Sequence, residues 1–342
     1  MAIAFKKISD RTRQLNPQKN FTPEEIPFEI RFDPLTGQTG SVFDLPFTPP
    51  ATPDLHEIVA RSKEIPCPFC PDVIEKITPH YPKALVPEGR IRVGDAILFP
   101  NILPLDRYTG IAVLSKVHYM AVEEFTPHTM QDAFRAVLIF INRVAAYDPG
   151  IQYFNINWNY MPQAGSSLVH PHIQVNCGDT PTNQFRVQLD ASRSYYEKHN
   201  ALFWDDFVRA EKAAGERFVG ERGSTAWFLS FVPQTIVPDL WCIFREHDSL
   251  IDLRDRDLLD FLEGLSRALA YIDGEGFFSF NVSLFFVREE SHFRANARVC
   301  PRTLLREIGN SDHTYYQALH REPCTHCPPE SICEKVRRIF GA

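Results

Sequence analysis

The run Gly165-Ser166-Ser167-Leu168-Val169-His170-Pro171-His172-Ile173-Gln174-Val175-Asn176 decides how the rest of the chain is read. In an extended segment, side chains at i, i+2 and i+4 share a face. His170, His172 and Gln174 are therefore expected on one surface, with Val169, Ile173 and Val175 turned to a core. Such a face can ligate a metal, or present one imidazole as a nucleophile beside a neutral hydrogen-bond donor. Two core histidines are the plainer alternative.

The surroundings are those of a globular protein. The 342 residues are 44% hydrophobic and 12% aromatic, enough for a sizeable core. Net charge is −7 with no long basic run, which argues against a nucleic-acid polymer and for small-molecule partners. The apolar stretch in residues 1–7 is too short for a signal peptide, and nowhere do 18 apolar residues run together, so a cytoplasmic protein with no membrane span is expected. Cysteines stand at 67, 70, 177, 242, 300, 324, 327 and 333, with two Cys-x-x-Cys spacings. In a reducing compartment that spacing reads as metal ligation or redox chemistry before disulfides.

Outward from the central run, residues 1–66 carry many prolines, among them Pro46, Pro49, Pro50 and Pro53, and are expected to form an extended arm packed on the core. Residues 67–190 and 191–342 then form two halves. In the first, residues 92–99 and 110–117 predict strands, the second ending at His118. Thr126 and Pro127 start a helix with Met130, Phe134, Val137, Ile141 and Val144 on one face, and residues 153–160 place Asn155, Asn157 and Asn159 on one side of a strand. The order returns after residue 225: residues 231–234, a strand at 240–247, a helix from Asp257 with Leu258, Leu262, Leu265 and Leu269 on one face, and a strand at 278–286. Residues 293–299 then fall where 169–175 fell. This reads as an internal duplication whose second copy lost both histidines, leaving one active half and one supporting half.

Cys67, Cys70, His118 and His170 make two thiolates and two imidazoles, a tetrahedral zinc inventory. With four protein ligands such a zinc is structural, and it would pin the strand that holds His172. A redox thiol pair beside unrelated histidines is the alternative. His172 is then free to attack phosphorus and carry a phosphoryl or nucleotidyl group. Gln174 could donate to a non-bridging oxygen, and Ser167 with the Gly165-Ser166-Ser167 backbone could cradle the phosphate. Asn101 and Asn159 are candidate nucleotide contacts. Cys324 and Cys327, with Cys300 and Cys333, could converge as a second zinc or iron–sulfur site, or be buried thiols and a turn. Cys177 and Cys242 read as small core residues.

Residues 31–37 (Arg-Phe-Asp-Pro-Leu-Thr-Gly), Cys67-Pro68-Phe69-Cys70-Pro71, Phe99-Pro100-Asn101, residues 113–118 and 165–174 resemble, in order and spacing, the landmarks of the galactose-1-phosphate uridylyltransferases of the histidine triad superfamily. The resemblance covers residues 28–176, with the rest following as the duplicated half. It implies an α+β fold of two histidine-triad-like halves forming an antiparallel half-barrel with flanking helices, usually dimeric. It also implies that His172 forms a nucleotidyl-histidine intermediate stabilised by Gln174. Cys67, Cys70, His118 and His170 would hold zinc, Gly165, Ser166 and Ser167 would lie against phosphate, and Asn101 and Asn159 near the nucleotide.

The implied reaction belongs to galactose and wider carbohydrate metabolism. A nucleoside monophosphate, UMP first, moves from a nucleotide sugar to a sugar 1-phosphate. A phosphorylase or hydrolase with the same nucleophile, for example on an ADP-sugar, is the alternative, and a catalytically lapsed nucleotide-binding protein is the rival. Three departures favour altered substrates. Residues 41–46 carry none of the family's phosphate-binding arginines, Ile102 follows Asn101 where an acidic residue is usual, and Asn296 and Arg298 stand where the family offers a second-half His-x-His for iron. The segment around Tyr315-Tyr316-Gln317 does not match the family's sugar-recognition region, so galactose specificity is not carried over.

Overall fold

A computed structural model describes residues 3–46, 53–304 and 311–341; Pro49 and Pro50 of the expected arm lie outside the described residues. The arm is not merely extended. Lys7–Asn16 (β1) and Thr22–Phe32 (β2) form a hairpin paired from Lys7↔Arg31 to Asn16↔Thr22, and Thr39–Phe43 (β3) joins β2 from Phe28 onward. Pro23 and Pro27 lie where β2 pairs with β1 alone, so a missing N–H costs no second ladder. Nine of the ten β1 residues are exposed, which is why no hydrophobic alternation announces this strand. Two helices follow, Leu55–Ser62 (α1) and Pro71–Ile77 (α2).

The first half runs Ile91–Val93 (β4), Ala96–Phe99 (β5), Tyr108–Val113 (β6), Pro127–Tyr147 (α3), Tyr153–Tyr160 (β7) and His172–Gly178 (β8). The single strand expected at 92–99 is a tight hairpin instead, because Gly94, at φ +51°, turns the chain between β4 and β5. Helices Asn183–His199 (α4) and Phe203–Ala214 (α5) lead to the second half: Phe218–Arg222 (β9), Thr225–Leu229 (β10), Leu240–Phe244 (β11), Asp255–Gly274 (α6), Ser279–Val287 (β12) and Asn296–Arg302 (β13). The chain closes with Tyr315–His320 (α7), Cys324–Thr325 (β14) and Pro329–Phe340 (α8).

The duplication is visible in the sheet order. Ten antiparallel strands run β4-β5-β6-β8-β7-β12-β13-β11-β10-β9, the same order from either end, as an open half-barrel. At the centre Asn157 pairs with Ser283, which places a pseudo-two-fold axis between β7 and β12. A separate four-stranded sheet, β1-β2-β3-β14, includes one parallel pair, β14 with β3.

Side-chain alternation then sorts the two faces of the large sheet. One face, with Phe154, Ile156, Ile173, Val175 and Leu284, is covered by α3 and α6, whose predicted apolar stripes are buried against it. Burial of this surface at about 25 cal/mol per Å² supplies most of the driving force. Phe134 and Phe261, their ring centroids 5.9 Å apart, join the two helices. The opposite face is capped at one end by Phe69, Ile74 and Phe99, and at the other by Phe185, Trp204, Phe207 and Trp241. Between these caps the polar residues of β7, β8, β12 and β13 line clefts. Among the described residues no helix is long and apolar enough to cross a membrane.

Candidate active site

The Cys67–Cys70 turn, tightened by a Cys70 N–H bond to the Cys67 carbonyl, ends on α2 with Pro71 in its first turn. This turn brings Cys67 Sγ to 3.7 Å from His170 Nδ1 and Cys70 Sγ to 3.3 Å from His118 Nδ1 and 3.7 Å from His170 Nδ1. All four ligand atoms lie within 4.8 Å of one another, the single such group of three or more among the described residues. A tetrahedral ion with bonds of about 2.3 Å to sulfur and about 2.0 Å to nitrogen separates its ligands by roughly 3.5 Å, so the donor set fits a metal.

The outer nitrogens support this fit. His170 Nε2 lies 2.9 Å from the Ser115 carbonyl and His118 Nε2 2.8 Å from Ser62 Oγ, while Ser62 donates to the Val59 carbonyl. Each ring is thereby held with its other nitrogen facing the cluster. Burial pushes His170 down to about 4 and lowers His118, so both rings are neutral and carry a lone pair. Burial also pushes the Cys70 thiol up to about 11, with Cys67 adding to the rise; two adjacent thiolates need a cation between them.

His170 precedes the strand, on a bend, and β8 opens at His172. Pro171 separates the two, and its carbonyl accepts from Leu114 N–H. The His172 ring stands edge-on to Phe69 at 5.0 Å and is nearly buried, at 5% exposure. Its Nδ1 is 2.8 Å from the His170 carbonyl. A carbonyl only accepts, so Nδ1 carries the proton and Nε2 holds the lone pair. Burial lowers this imidazole's proton affinity and outweighs the bond to the His170 carbonyl, which raises it.

Gln174 follows on the same face, paired in the ladders with Ile111 and Asn157, and opens onto a cleft of about 400 Å³. Asn159 lines that cleft and accepts from Asn281 Nδ2 at 2.7 Å. Gly165, at φ +83°, closes the turn before the site, and a Cβ there would meet open space. Ser167 is exposed on this loop. Ser166 serves the loop itself, its hydroxyl donating to the Leu168 carbonyl at 2.6 Å. Asn101 does likewise, accepting from Leu103 N–H at 3.0 Å, and does not line the cleft beside Gln174.

The C-terminal thiols do not converge. Cys300 lies on β13 facing another cleft, Cys324 on β14, Cys327 beside Ser331 Oγ, and Cys333 buried against the Phe218 carbonyl. No metal group forms from them among the described residues. In the second half the place of His172 is taken by Asn296, fully buried and bonded to Trp241 Nε1 at 3.2 Å. Arg298, in the place of Gln174, is paired with Asp239 at 3.0 Å. Asn176, Ser283 and Phe285 also line the cleft beside Gln174, and of these only Asn176 is signalled in the sequence, by the period that runs through His172 and Gln174.

No family model matches the chain. A protein of Archaeoglobus fulgidus, described as uncharacterized, is 31% identical over 326 residues, which span 93% of this chain and 94% of that one. An ADP-glucose phosphorylase from Arabidopsis thaliana, solved with bound ADP-glucose, superposes with a TM-score of 0.69 at 17% identity, over 91% of this chain and 98% of its own. A galT-like protein of Arabidopsis thaliana follows at 0.68 and 18%, and a uridylyltransferase at 0.65 and 19%, each with the same coverage. At these identities the three structures show a shared fold.

Proposed function

We propose that this chain, which belongs to one family with the Archaeoglobus fulgidus protein and is by fold a divergent relative of the galactose-1-phosphate uridylyltransferases, transfers a nucleoside monophosphate through His172. The observation that carries the reading is the His172 tautomer, with Nδ1–H held by the His170 carbonyl and Nε2 left as a nucleophile. Nε2 attacks the α-phosphorus of a nucleotide sugar; the N–P bond forms as the P–O bond to the sugar phosphate breaks, and the sugar 1-phosphate leaves with the electron pair. The bond from Nδ1–H to the carbonyl supports the positive charge that develops on the ring. Gln174 donates an N–H to a non-bridging oxygen, and the 165–167 loop lies against the phosphate. In the second step an acceptor phosphate oxygen displaces His172 and takes the nucleotidyl group.

Zinc held by Cys67, Cys70, His118 and His170 would be structural: four protein ligands leave no open position, and the ion ties α2 and the 114–118 loop to the residue whose carbonyl orients His172. From the resemblance the carried group is UMP and the acceptor a sugar 1-phosphate.

A second reading, phosphorolysis of an ADP-sugar with inorganic phosphate as acceptor, has its own support. The 41–46 segment has no cation, and Arg31 is already committed to Glu29 and Glu330. Water is the weaker acceptor because Gln174 does not titrate and offers no acid–base help. Intact mass after brief incubation with UDP-glucose, ADP-glucose or GDP-mannose, beside a His172→Asn control, tests the intermediate and names the base. No adduct from any of them would return the weight to a nucleotide-binding protein without turnover.

A further inference from the structure

We infer that the cleft beside Gln174 seats an uncharged, hydroxyl-rich group, the glycosyl part of the donor, and that Asn155, Asn157 and Asn176 set this selectivity; the inference rests on the nucleotidyl-transfer reading above. The lining is chemically one-sided. It offers the carboxamides of Asn155, Asn157, Asn159, Gln174 and Asn176, the hydroxyls of Thr182 and Ser283, and no lysine, arginine or histidine. Asp106 is its single formal charge. A second phosphate or a carboxylate placed there would meet that anion with no cation to offset it.

The amides are fixed in place by one another. Asn157 Nδ2 donates to Asn155 Oδ1 at 2.6 Å, Asn176 Nδ2 to the same oxygen at 2.9 Å, and Ser283 Oγ to Asn157 Oδ1 at 2.9 Å. This ladder spans β8, β7 and β12, three adjacent strands at the middle of the sheet, so its members are held by the sheet rather than by a loop. One polar atom of Asn176 remains unpaired, although the residue is only 6% exposed. Turning the amide over exchanges nitrogen for oxygen at that spot and leaves the demand in place. That atom is closed to solvent and a ligand reaches it only when the amide turns toward the cleft, whereas the part-exposed carboxamides of Asn157, Asn159 and Gln174 meet a ligand directly. A hydroxyl both donates and accepts and satisfies either orientation, whereas a phosphate oxygen only accepts. Phe285 and Leu105 add apolar surface suited to the C–H face of a sugar ring. Gln174 belongs both to this lining and to the His172 face, which places the group next to the reacting phosphorus.

The test is calorimetric binding to the His172→Asn protein, which cannot turn over. The ligands are the nucleotide sugar that gives the wild-type adduct, its nucleoside monophosphate, and UDP-glucuronate beside UDP-glucose. The sugar should improve affinity over the monophosphate, and adding Asn176→Leu should shrink that ratio about tenfold or more, the scale of one or two lost hydrogen bonds in a dry site. UDP-glucuronate should bind at least about tenfold more weakly than UDP-glucose. Asn157→Ala provides the same ratio if the leucine variant does not fold. Equal weakening of sugar nucleotide and monophosphate would seat the base in this cleft and overturn the inference, as would equal affinity for glucuronate and glucose. If the wild type forms the adduct and the ratios stay put, the cleft assignment alone falls. If no donor forms an adduct, the transfer reading falls and takes this inference with it.

Discussion

At the scale of single residues, two hydrogen bonds orient the histidines on which the proposed chemistry rests. The bond from His172 Nδ1–H to the His170 carbonyl sets the tautomer, and the bond between His170 Nε2 and Ser115 directs His170 Nδ1 into the thiols. One histidine turns into the Cys67–Cys70–His118 cluster while its own carbonyl orients the other. A direct consequence concerns Cys70, whose sulfur is within reach of both cluster histidines. Cys70→Ser, or removal of metal by a strong chelator, should drop bound zinc from one per chain toward zero and lower the melting temperature by roughly 10 °C or more. Unchanged melting in the metal-free protein would argue against a structural ion. The clustering of Cys67, Cys70, His118 and His170 was legible because Cys-x-x-Cys and two histidines form a restricted inventory. The turn bonds of Asn101 and Ser166 were not, because a short polar side chain serves its own turn or a ligand with the same letters in the sequence. The C-terminal cysteines failed for a related reason: spacing along the chain does not say which strand faces each thiol meets.

At the scale of elements, helices α3 and α6 were the most readable parts, since a 3.6-residue apolar stripe survives in any context. The hairpin β1–β2 left no such trace, because neither of its faces is consistently buried. The short β4 was hidden by its own turn: Gly94 looks like one residue of a strand until its positive φ is seen. The close approach of α6 to the sheet carries a further test. Gly264 sits within α6, and a Cβ there would overlap the indole of Trp227 on β10. Gly264→Ala gains helix propensity, but overpacking should win and cost about 1–3 kcal/mol in chemical denaturation. A neutral or stabilised variant would mean that α6 can shift on the sheet without penalty.

At the scale of the whole molecule, a duplicated sheet carries the candidate site in its first half. The palindromic strand order was readable as a repeated series of elements, but the contacts at the corresponding positions of the second half required the structure to show. Asn296 is spent on Trp241, while Arg302 binds both Asp312 and Asn281 Oδ1, and Asn281 in turn holds Asn159 and the Ala164 carbonyl beside the glycine loop. The second half thus reaches across the pseudo-axis to the strand and loop of the candidate site in the first. A second tie joins the two ends of the chain: Glu330 on α8 accepts from Arg31 at 2.8 and 2.9 Å and from Arg217 at 2.7 Å. Burial raises the Glu330 carboxyl, but these guanidiniums outweigh burial and hold it below its ordinary 4.5. A depressed folded value means that this stabilisation is full above about pH 4.5 and fades as pH falls through the folded pKa. Glu330→Gln should cost roughly 2 kcal/mol at pH 7 and flatten the acid limb of the stability curve. An acid limb identical to wild type would assign the pH dependence to other carboxyls.

The most direct test of the central claim is the intact mass of the protein after seconds with each of UDP-glucose, ADP-glucose and GDP-mannose. One donor should add a single nucleoside monophosphate to the wild type and nothing to His172→Asn, naming base and nucleophile together. No adduct from any donor in zinc-replete protein, or an adduct that persists in the asparagine variant, would contradict transfer through His172.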